Sequence, residues 1–281
     1  MCDEKIELCC SIFFECFPFI PVAVSVLKEK LNGSIFFFVY EKDTVTGFAA
    51  VEKNIIKAIC VCPDFQKKGY GTSLLKECED FIKKSGYDKV ILGRNETDIF
   101  RGAVMNNMSH RFFEKHGYYA YNGCLDMMLC MEDFSYNSIT EKYPCSPDVN
   151  FKICENGYTA ELIAAVNEVE PKWVRNYISD RKSSIAIAVA DNNIVGFAAV
   201  DFNARTIVTY EGAKTGLIGY VGVLPSMRGK HIGINLVAFA TEQLRQSGCT
   251  EAFIEYTSLE SWYSRAGYEE YLWFWLGEKN I

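Results

Sequence analysis

Twice along this chain a short basic loop bearing glycine separates a hydrophobic run from an amphipathic stretch. The first reads Val61-Cys62-Pro63-Asp64-Phe65-Gln66-Lys67-Lys68-Gly69-Tyr70-Gly71-Thr72, and the second contains Arg228-Gly229-Lys230-His231-Ile232-Gly233. A loop that leads from a strand into a helix can hold an anion, because the first helical turn leaves N–H groups unpaired and carries partial positive charge. Glycine lets the backbone approach phosphate oxygens and take positive φ, and Lys67 and Lys68 add charge. Other phosphate loops are missing: there is no Gly-x-x-x-x-Gly-Lys-Ser/Thr, and no Gly-x-Gly-x-x-Gly with a downstream acidic residue. Taken alone, either loop reads equally well as a solvated basic turn, so the surrounding elements must decide.

Those elements are written twice. Gly47-Phe48-Ala49-Ala50-Val51 recurs letter for letter as Gly196-Phe197-Ala198-Ala199-Val200. Each copy then shows an apolar run ending in Val-x-Pro (Val61-Cys62-Pro63 and Val223-Leu224-Pro225), the basic loop, an amphipathic stretch, a strand and an aromatic stretch ending in Gly-Tyr (Gly117-Tyr118 and Gly267-Tyr268). The offset runs from 149 to 162 and back to 150, so loop lengths differ while the order of elements holds. This is a duplication with insertions.

Periodicity predicts helices at about 5–16 and 21–31, strands at about 34–40, 45–51 and 54–61, and a helix at about 70–84 carrying Leu74, Leu75, Cys78, Phe81 and Ile82 on one face. A strand near 89–93, a helix near 108–116 and a strand pair near 118–131 follow. The second copy repeats the plan, adds an opening strand at 149–154, and places its main helix at about 232–246 before Gly248. Turn-forming residues concentrate at 135–148, which sets the expected domains at 1–140 and 148–281. The fold class is α+β, each domain a mixed, mostly antiparallel sheet flanked by helices.

In this order the motifs resemble the GNAT superfamily of N-acetyltransferases, whose motif reads Val-x-Pro-x-x-Gln/Arg-x-x-Gly-x-Gly/Ala and whose last helix ends in Gly-Phe or Gly-Tyr. Both halves carry it, so the resemblance spans nearly the whole chain. It implies acetyl-CoA as cosubstrate, with the pyrophosphate on the loop amides and the pantetheine arm along the end of the preceding strand. The implied loop contacts are Lys67, Lys68, Gly69, Tyr70, Gly71 and Thr72 in the first copy, and Gly229, Lys230, His231, Ile232, Gly233 and Ile234 in the second. The implied strand-end contacts are Cys60, Val61, Val221 and Val223, and Asn106, eleven residues before Gly117, stands where the family often holds the CoA arm. His231 departs from the usual glycine. The duplicated arrangement is also similar to that of the tandem-GNAT mycothiol synthases, but no residue carries their substrate over.

In many family members a tyrosine four residues before the closing glycine protonates the leaving thiolate. The second copy has Tyr263 there and the first has Phe113, which cannot donate. The resemblance therefore makes Tyr263 the general acid, its other reading being an aromatic core residue. Glu255, on the strand before the last helix, is either the base for the amine or a solvent-facing strand residue. In the first copy Arg94, Glu96, Asp98 and Arg101 line an acceptor pocket or form a surface loop, Tyr118 or Tyr119 offers an unrelated donor, and His110 and His116 are catalytic or, with no partner evident, ordinary surface residues.

The implied reaction is acetyl transfer to a primary amine of a small molecule or peptide; the alternative is a non-catalytic acetyl-CoA sensor or scaffold. The net charge of −7 argues against a nucleic-acid partner and suits a cationic amine. Twelve cysteines show no zinc-type pairing, so no metal is expected, and they fit a reduced, cytoplasmic compartment. Residues 8–27 are apolar, but Glu15, Pro18 and Pro21 point to two short core helices rather than a membrane span. Neither the acceptor nor the oligomeric state is fixed by the sequence.

Overall fold

The computed structural model describes residues 2–94, 98–154, 159–179 and 184–281. The first copy opens with α1 (Cys2–Cys16) and α2 (Val24–Leu31), the two short helices expected where Pro18 and Pro21 interrupt the apolar run. A meander of β1 (Ile35–Glu41), β2 (Thr44–Glu52) and β3 (Ile55–Val61) follows, then α3 (Tyr70–Lys84), β4 (Lys89–Leu92), β5 (Ala103–Val104), α4 (His110–Lys115) and β6 (Gly123–Cys130). The second copy, after α5 (Tyr136–Lys142), runs β7 (Asn150–Ile153), α6 (Ala160–Val169), α7 (Trp173–Ser179), β8 (Ser184–Ala190), β9 (Asn193–Ala204), β10 (Thr215–Val223), α8 (Ile232–Gln246), β11 (Glu251–Thr257), α9 (Glu260–Tyr263), β12 (Glu269–Trp275) and β13 (Glu278–Asn280). Among the described residues, no helix is long and apolar enough to cross a membrane.

Two compact units emerge. The first gathers Met1–Cys124, Arg205–Gly212 and Leu272–Ile281; the second gathers Leu125–Ala204 and Ala213–Tyr271. Within the first, the strand order is β1-β2-β3-β4-β13. All neighbours are antiparallel except β3 and β4. Within the second the order is β6-β11-β10-β9-β8-β7, with β10 and β11 the parallel pair. The sheets are thus mixed and mostly antiparallel, and flanked by helices.

These units differ from a sequential split at 140 and 148. Residues 272–281, expected in the second domain, complete the first unit's sheet, where Glu278, Lys279 and Asn280 pair with Ile91, Val90 and Lys89. Glu278 anchors the join through Lys89 at 2.9 Å and Arg94 at 3.3 Å, and Lys279 reaches Glu79 at 2.9 Å. Residues 125–130, expected in the first domain, pair with β11 in the second unit. The expected strand pair at 118–131 is one strand, β6, preceded by a single bridge between Tyr119 and Glu278. The region read as linker holds α5, whose Ser135 hydroxyl accepts from the Ser138 amide at 3.3 Å as an N-cap.

The repeated Gly-Phe-Ala-Ala-Val has a packing cause. β2 and β9 lie inside their sheets, and Phe48, Ala49, Ala50 and Val51, like Phe197, Ala198 and Val200, are fully buried, so no polar alternation survives. A Cβ on Gly47 would sit 2.6 Å from the Cys60 carbonyl oxygen, and one on Gly196 3.3 Å from that of Gly222. Helices α3 and α8 lay their apolar stripes on these sheets. In the first unit Leu74, Leu75, Cys78 and Ile82 meet Val51, Val90 and Leu92.

Candidate functional site

In each unit the parallel pair parts early. β3 and β4 pair only at Ile55–Ile91 and Ile56–Leu92, after which β3 runs on alone to Val61. β10 and β11 pair from Thr215–Glu251 to Leu217–Phe253, and β10 then continues to Val223. The strand edge beyond the split keeps backbone groups that a ligand's amides can pair with. Cys60, Val61, Val221 and Val223 all lie on this stretch, with the Cys60 side chain buried and the three valines half-buried.

Both strand ends turn into a 3-10 turn, Pro63–Phe65 or Pro225–Met227, and then into a loop with two left-handed positions. In the first copy these are Lys67 (φ +61°) and Gly69 (φ +93°); in the second, Gly229 (φ +78°) and His231 (φ +58°). The backbone trace is therefore kept while glycine changes place, and each loop holds one non-glycine residue in a conformation costing about 1 kcal/mol. His231 keeps the path expected of the usual glycine. Its Nδ1 donates to the Pro144 carbonyl at 3.1 Å, and its ring meets the Tyr143 edge.

Helices α3 and α8 start without a side-chain cap. The amides of Tyr70, Gly71 and Thr72, and of Ile232, Gly233 and Ile234, precede the first intrahelical bonds, from Ser73 to Gly69 and from Asn235 to His231. Each helix thus offers three N–H groups to an anion, reinforced by its dipole. Phe112 and Trp262 lie against the second glycine of each loop, 3.4 Å from a Cβ on Gly71 and 3.1 Å from one on Gly233.

The basic side chains divide. Lys67 and Lys230 are exposed, the latter touching only the Met227 sulfur at 3.4 Å among the described residues. Lys68 faces Glu41 at 3.7 Å and lies over the Phe65 ring, and the Tyr70 hydroxyl donates to Glu41 at 2.8 Å, so these two are held toward β1. Thr72 meets His116 Nε2 at 3.1 Å, and His116 Nδ1 contacts the Phe112 carbonyl at 2.8 Å. His116, read from sequence as a surface residue without a partner, is tied to the loop. The Asn106 side chain accepts from the Trp273 amide at 2.9 Å, which commits its oxygen to β12.

At the centre of the second unit, Tyr263 is buried, at 6% exposure, and its hydroxyl bonds to none of the described residues. Burial pushes its phenol up to about 12. Glu255 is half-buried next to a bulge in β11 at Tyr256, whose φ is +57° and whose amide donates to Asp126 at 2.9 Å. A second bulge in β10 puts Tyr220 at φ +50°. The Tyr177 hydroxyl holds its carbonyl at 2.9 Å, while Trp173 and Asn176 border its ring and hydroxyl. Tyr177, Tyr220 and Asp126 were missed from sequence, although interior glycines 219 and 222 signal a bulge in that strand.

The matching place in the first unit is filled differently. Phe113 is buried beside a cavity of about 60 Å³ lined by Phe17, Ala58, Ile59, Leu92 and Phe100. The bulge residue Lys57 is fully buried, its ammonium on Glu52 at 3.1 Å and on the Lys30 carbonyl. Burial lowers its proton affinity. Asp98 takes the Arg94 amide at 3.1 Å and Arg101 at 3.2 Å, so this insertion is internally ion-paired. Glu96 lies outside the described residues. Tyr118 packs in the core beneath α3, and the Tyr119 hydroxyl donates to Glu278 at 3.3 Å. Among the described residues, no group of histidine, cysteine and carboxylate side chains is arranged to hold a metal ion.

Comparison with known proteins matches this geometry. Residues 32–120 match the acetyltransferase (GNAT) domain and residues 153–271 the acetyltransferase (GNAT) family. No curated protein sequence matches the chain. Among solved structures, the glucosamine N-acetyltransferase region of a fungal multi-domain GH3 β-N-acetylglucosaminidase superposes with a TM-score of 0.77 at 21% identity. It covers 99% of this chain, which spans 37% of that protein's length. A GCN5-related N-acetyltransferase from Sphaerobacter thermophilus gives 0.68 at 17% identity over 96% of this chain and 90% of its own. A tandem GNAT protein from the clavulanic acid biosynthesis pathway gives 0.67 at 14%, over 99% and 95%. At these identities the likeness is one of fold. With a family match in each half, the chain belongs to the GNAT acetyltransferases and carries two of their domains in tandem.

Proposed function

We propose that the second copy transfers an acetyl group from acetyl-CoA to the primary amine of a small molecule or peptide. The observation that carries this reading is Tyr263, whose ring is buried while its hydroxyl bonds to none of the described residues, in the unit whose α8 N-terminus offers three amides. On this proposal Gly229, Lys230, His231, Ile232, Gly233 and Ile234 hold the pyrophosphate, and the edge of β10 at Val221 and Val223 pairs with the pantetheine arm. The neutral amine attacks the thioester carbonyl, the C–N bond forms and the C–S bond breaks. Tyr263 gives its proton to the departing thiolate, and Glu255, directly or through water, takes the proton the amine loses.

In the first copy Lys67, Lys68, Gly69, Tyr70, Gly71 and Thr72, with Cys60, Val61 and Asn106, would bind acetyl-CoA without turnover. Phe113 has no proton to give, and the cavity beside it is small, about 60 Å³. Trp173, Tyr177 and Tyr220 make the acceptor side of the second copy aromatic. Eleven of the twelve cysteines are free thiols, which supports a cytoplasmic setting. The test is release of CoA thiol from acetyl-CoA across polyamines, amino sugars, aminoglycosides and N-terminal peptides. Release with one class supports the enzyme; binding of acetyl-CoA with no release across all of them favours the sensor.

A further inference from the structure

The two strands that part in the second unit carry matching irregularities. Tyr220 is the third residue past Leu217 and Tyr256 the third past Phe253, the last partners of β10 and β11, so both stand at the same height beside the split. Each sits in a bulge at positive φ, +50° and +57°. For a bulky residue this conformation is rare, and it persists only where neighbours fix it. Here the Tyr177 hydroxyl donates to the Tyr220 carbonyl at 2.9 Å, Asn176 donates to the Tyr220 hydroxyl at 3.0 Å, and Asp126 accepts from the Tyr256 amide at 2.9 Å. The rings so held are not core: Tyr220 is 39% exposed and Tyr256 52%. Bulges beside reaction centres re-aim side chains, and these two keep one exposed ring on each strand of the split.

Resting on the function proposed above, we propose that Tyr220 and Tyr256 set the acceptor class of the second copy. That class is a diamine or polyamine, whose distal ammonium lies against these rings while its other nitrogen, neutral, attacks the thioester. The bonds made and broken are those of acetyl transfer to any amine, and the distal ammonium keeps its protons throughout.

Charge and aromaticity point to the same ligand. A π face receives either an apolar group or a cation, and the neighbouring carboxylates decide between them. Asp126, 2% exposed, lies against the Tyr256 backbone, and Glu255 precedes Tyr256 in the strand, so the split is bordered by acids as well as by rings. Trp173 and Tyr177 meet the Tyr220 ring in T-shaped contacts at 5.8 and 6.1 Å, which fix it without covering it. The first copy supplies the contrast. Its bulge residue is Lys57, fully buried, with its ammonium on Glu52 at 3.1 Å and on the Lys30 carbonyl. An internal ammonium thus occupies the bulge of the copy that lacks a tyrosine donor, and an open ring that of the copy that has one.

The test is isothermal titration of 1,4-diaminobutane, and of butylamine with the same carbon chain and one charge fewer, into the full-length protein with and without saturating CoA. The diamine should bind roughly 3- to 30-fold tighter, the range of a cation on aromatic faces. Tyr220→Phe keeps the ring and should keep this preference, whereas Tyr220→Leu combined with Tyr256→Leu should bring the two affinities together. Equal affinities in the wild type, or a preference that survives in the double leucine variant, overturn the proposal. The wild-type comparison stands whether or not that variant folds. Transfer assays with both amines separate this inference from the function it rests on. Diamine preference in binding without release of CoA thiol leaves the inference and removes the enzyme; transfer to an amine without diamine preference leaves the enzyme and removes the inference.

Discussion

The Gln66 side-chain amide donates to the Val61 carbonyl at 3.0 Å, and the second copy repeats the bond from Arg228 Nε to Val223 at 3.3 Å. The Gln/Arg of the repeated motif therefore folds the loop back onto the last carbonyl of its strand. Gln66→Ala and Arg228→Ala should each cost about 0.5–1.5 kcal/mol, the usual worth of one such bond. Urea unfolding checks this; an unchanged midpoint in both would deny the bond a structural role.

A second expectation concerns the loops. A Cβ at Gly71 meets the Phe112 ring at 3.4 Å, an ordinary contact, so Gly71→Ala should fold normally. Gly71→Glu places a carboxylate at the α3 N-terminus, where it competes with an anion for the same amides. Gly233→Glu does so in the second copy. Each should remove the acetyl-CoA-dependent rise in melting temperature from one copy only, as isothermal titration of single and double variants would resolve.

The glycines of the repeated pentapeptide should differ in cost. Gly47→Ala must push its Cβ away from the Cys60 carbonyl oxygen, at 2.6 Å, and both groups belong to paired backbone. It should lose about 1–3 kcal/mol, as overpacked sites do. Gly196→Ala meets the Gly222 oxygen at 3.3 Å and should lose less. Equal losses in denaturant titration would show that the carbonyl contact is not what selects glycine.

Acid should probe the C-terminal strand. Lys89, and after it Arg94, hold the Glu278 carboxyl below its ordinary 4.5. A depressed carboxylate stabilises the fold above its unfolded value and loses that contribution as pH falls through the folded one. Stability should therefore drop below about pH 4.5, and Glu278→Gln should flatten this part of the curve. Thermal unfolding from pH 6 to 3 reads it directly, and parallel curves would remove Glu278 from the account.

Helices α3 and α8 were legible to the residue because apolar spacing, an uncapped glycine loop and a closing Gly86 or Gly248 all agree on their ends. The join at the C-terminus was not. Glu278, Lys279 and Asn280 carry no apolar period, and their strand exists because β4 presents a partner and Lys89, Arg94 and Glu79 present charges. In the same way α5 hides in a turn-rich stretch, since its Ser135 cap looks like any loop serine until Ile139 is seen buried. The loop residues of the site could be named from sequence. The commitments of Lys68 to Glu41, Thr72 to His116 and Asn106 to Trp273 could not, because each partner lies far along the chain.

The last prediction separates chemistry from binding. Tyr263→Phe removes a hydroxyl that no described residue holds and leaves a ring that packs edge-on to Trp262 and Tyr268. Fold and acetyl-CoA affinity should therefore stay near wild type, while turnover falls roughly 10- to 1,000-fold, bracketing the usual contribution of a general acid. Burial holds the phenol near 12, so it keeps its proton across the working range. The pH profile of the wild type should then show no ionisation from Tyr263 below about pH 10. Phe113→Tyr need not create activity in the first copy, since a donor also needs an acceptor pocket and a route for the amine's proton. Steady-state transfer with an acceptor found in the amine panel is the measurement. Wild-type turnover in Tyr263→Phe, with chemistry shown to be rate-limiting, would assign the proton to water or to another group.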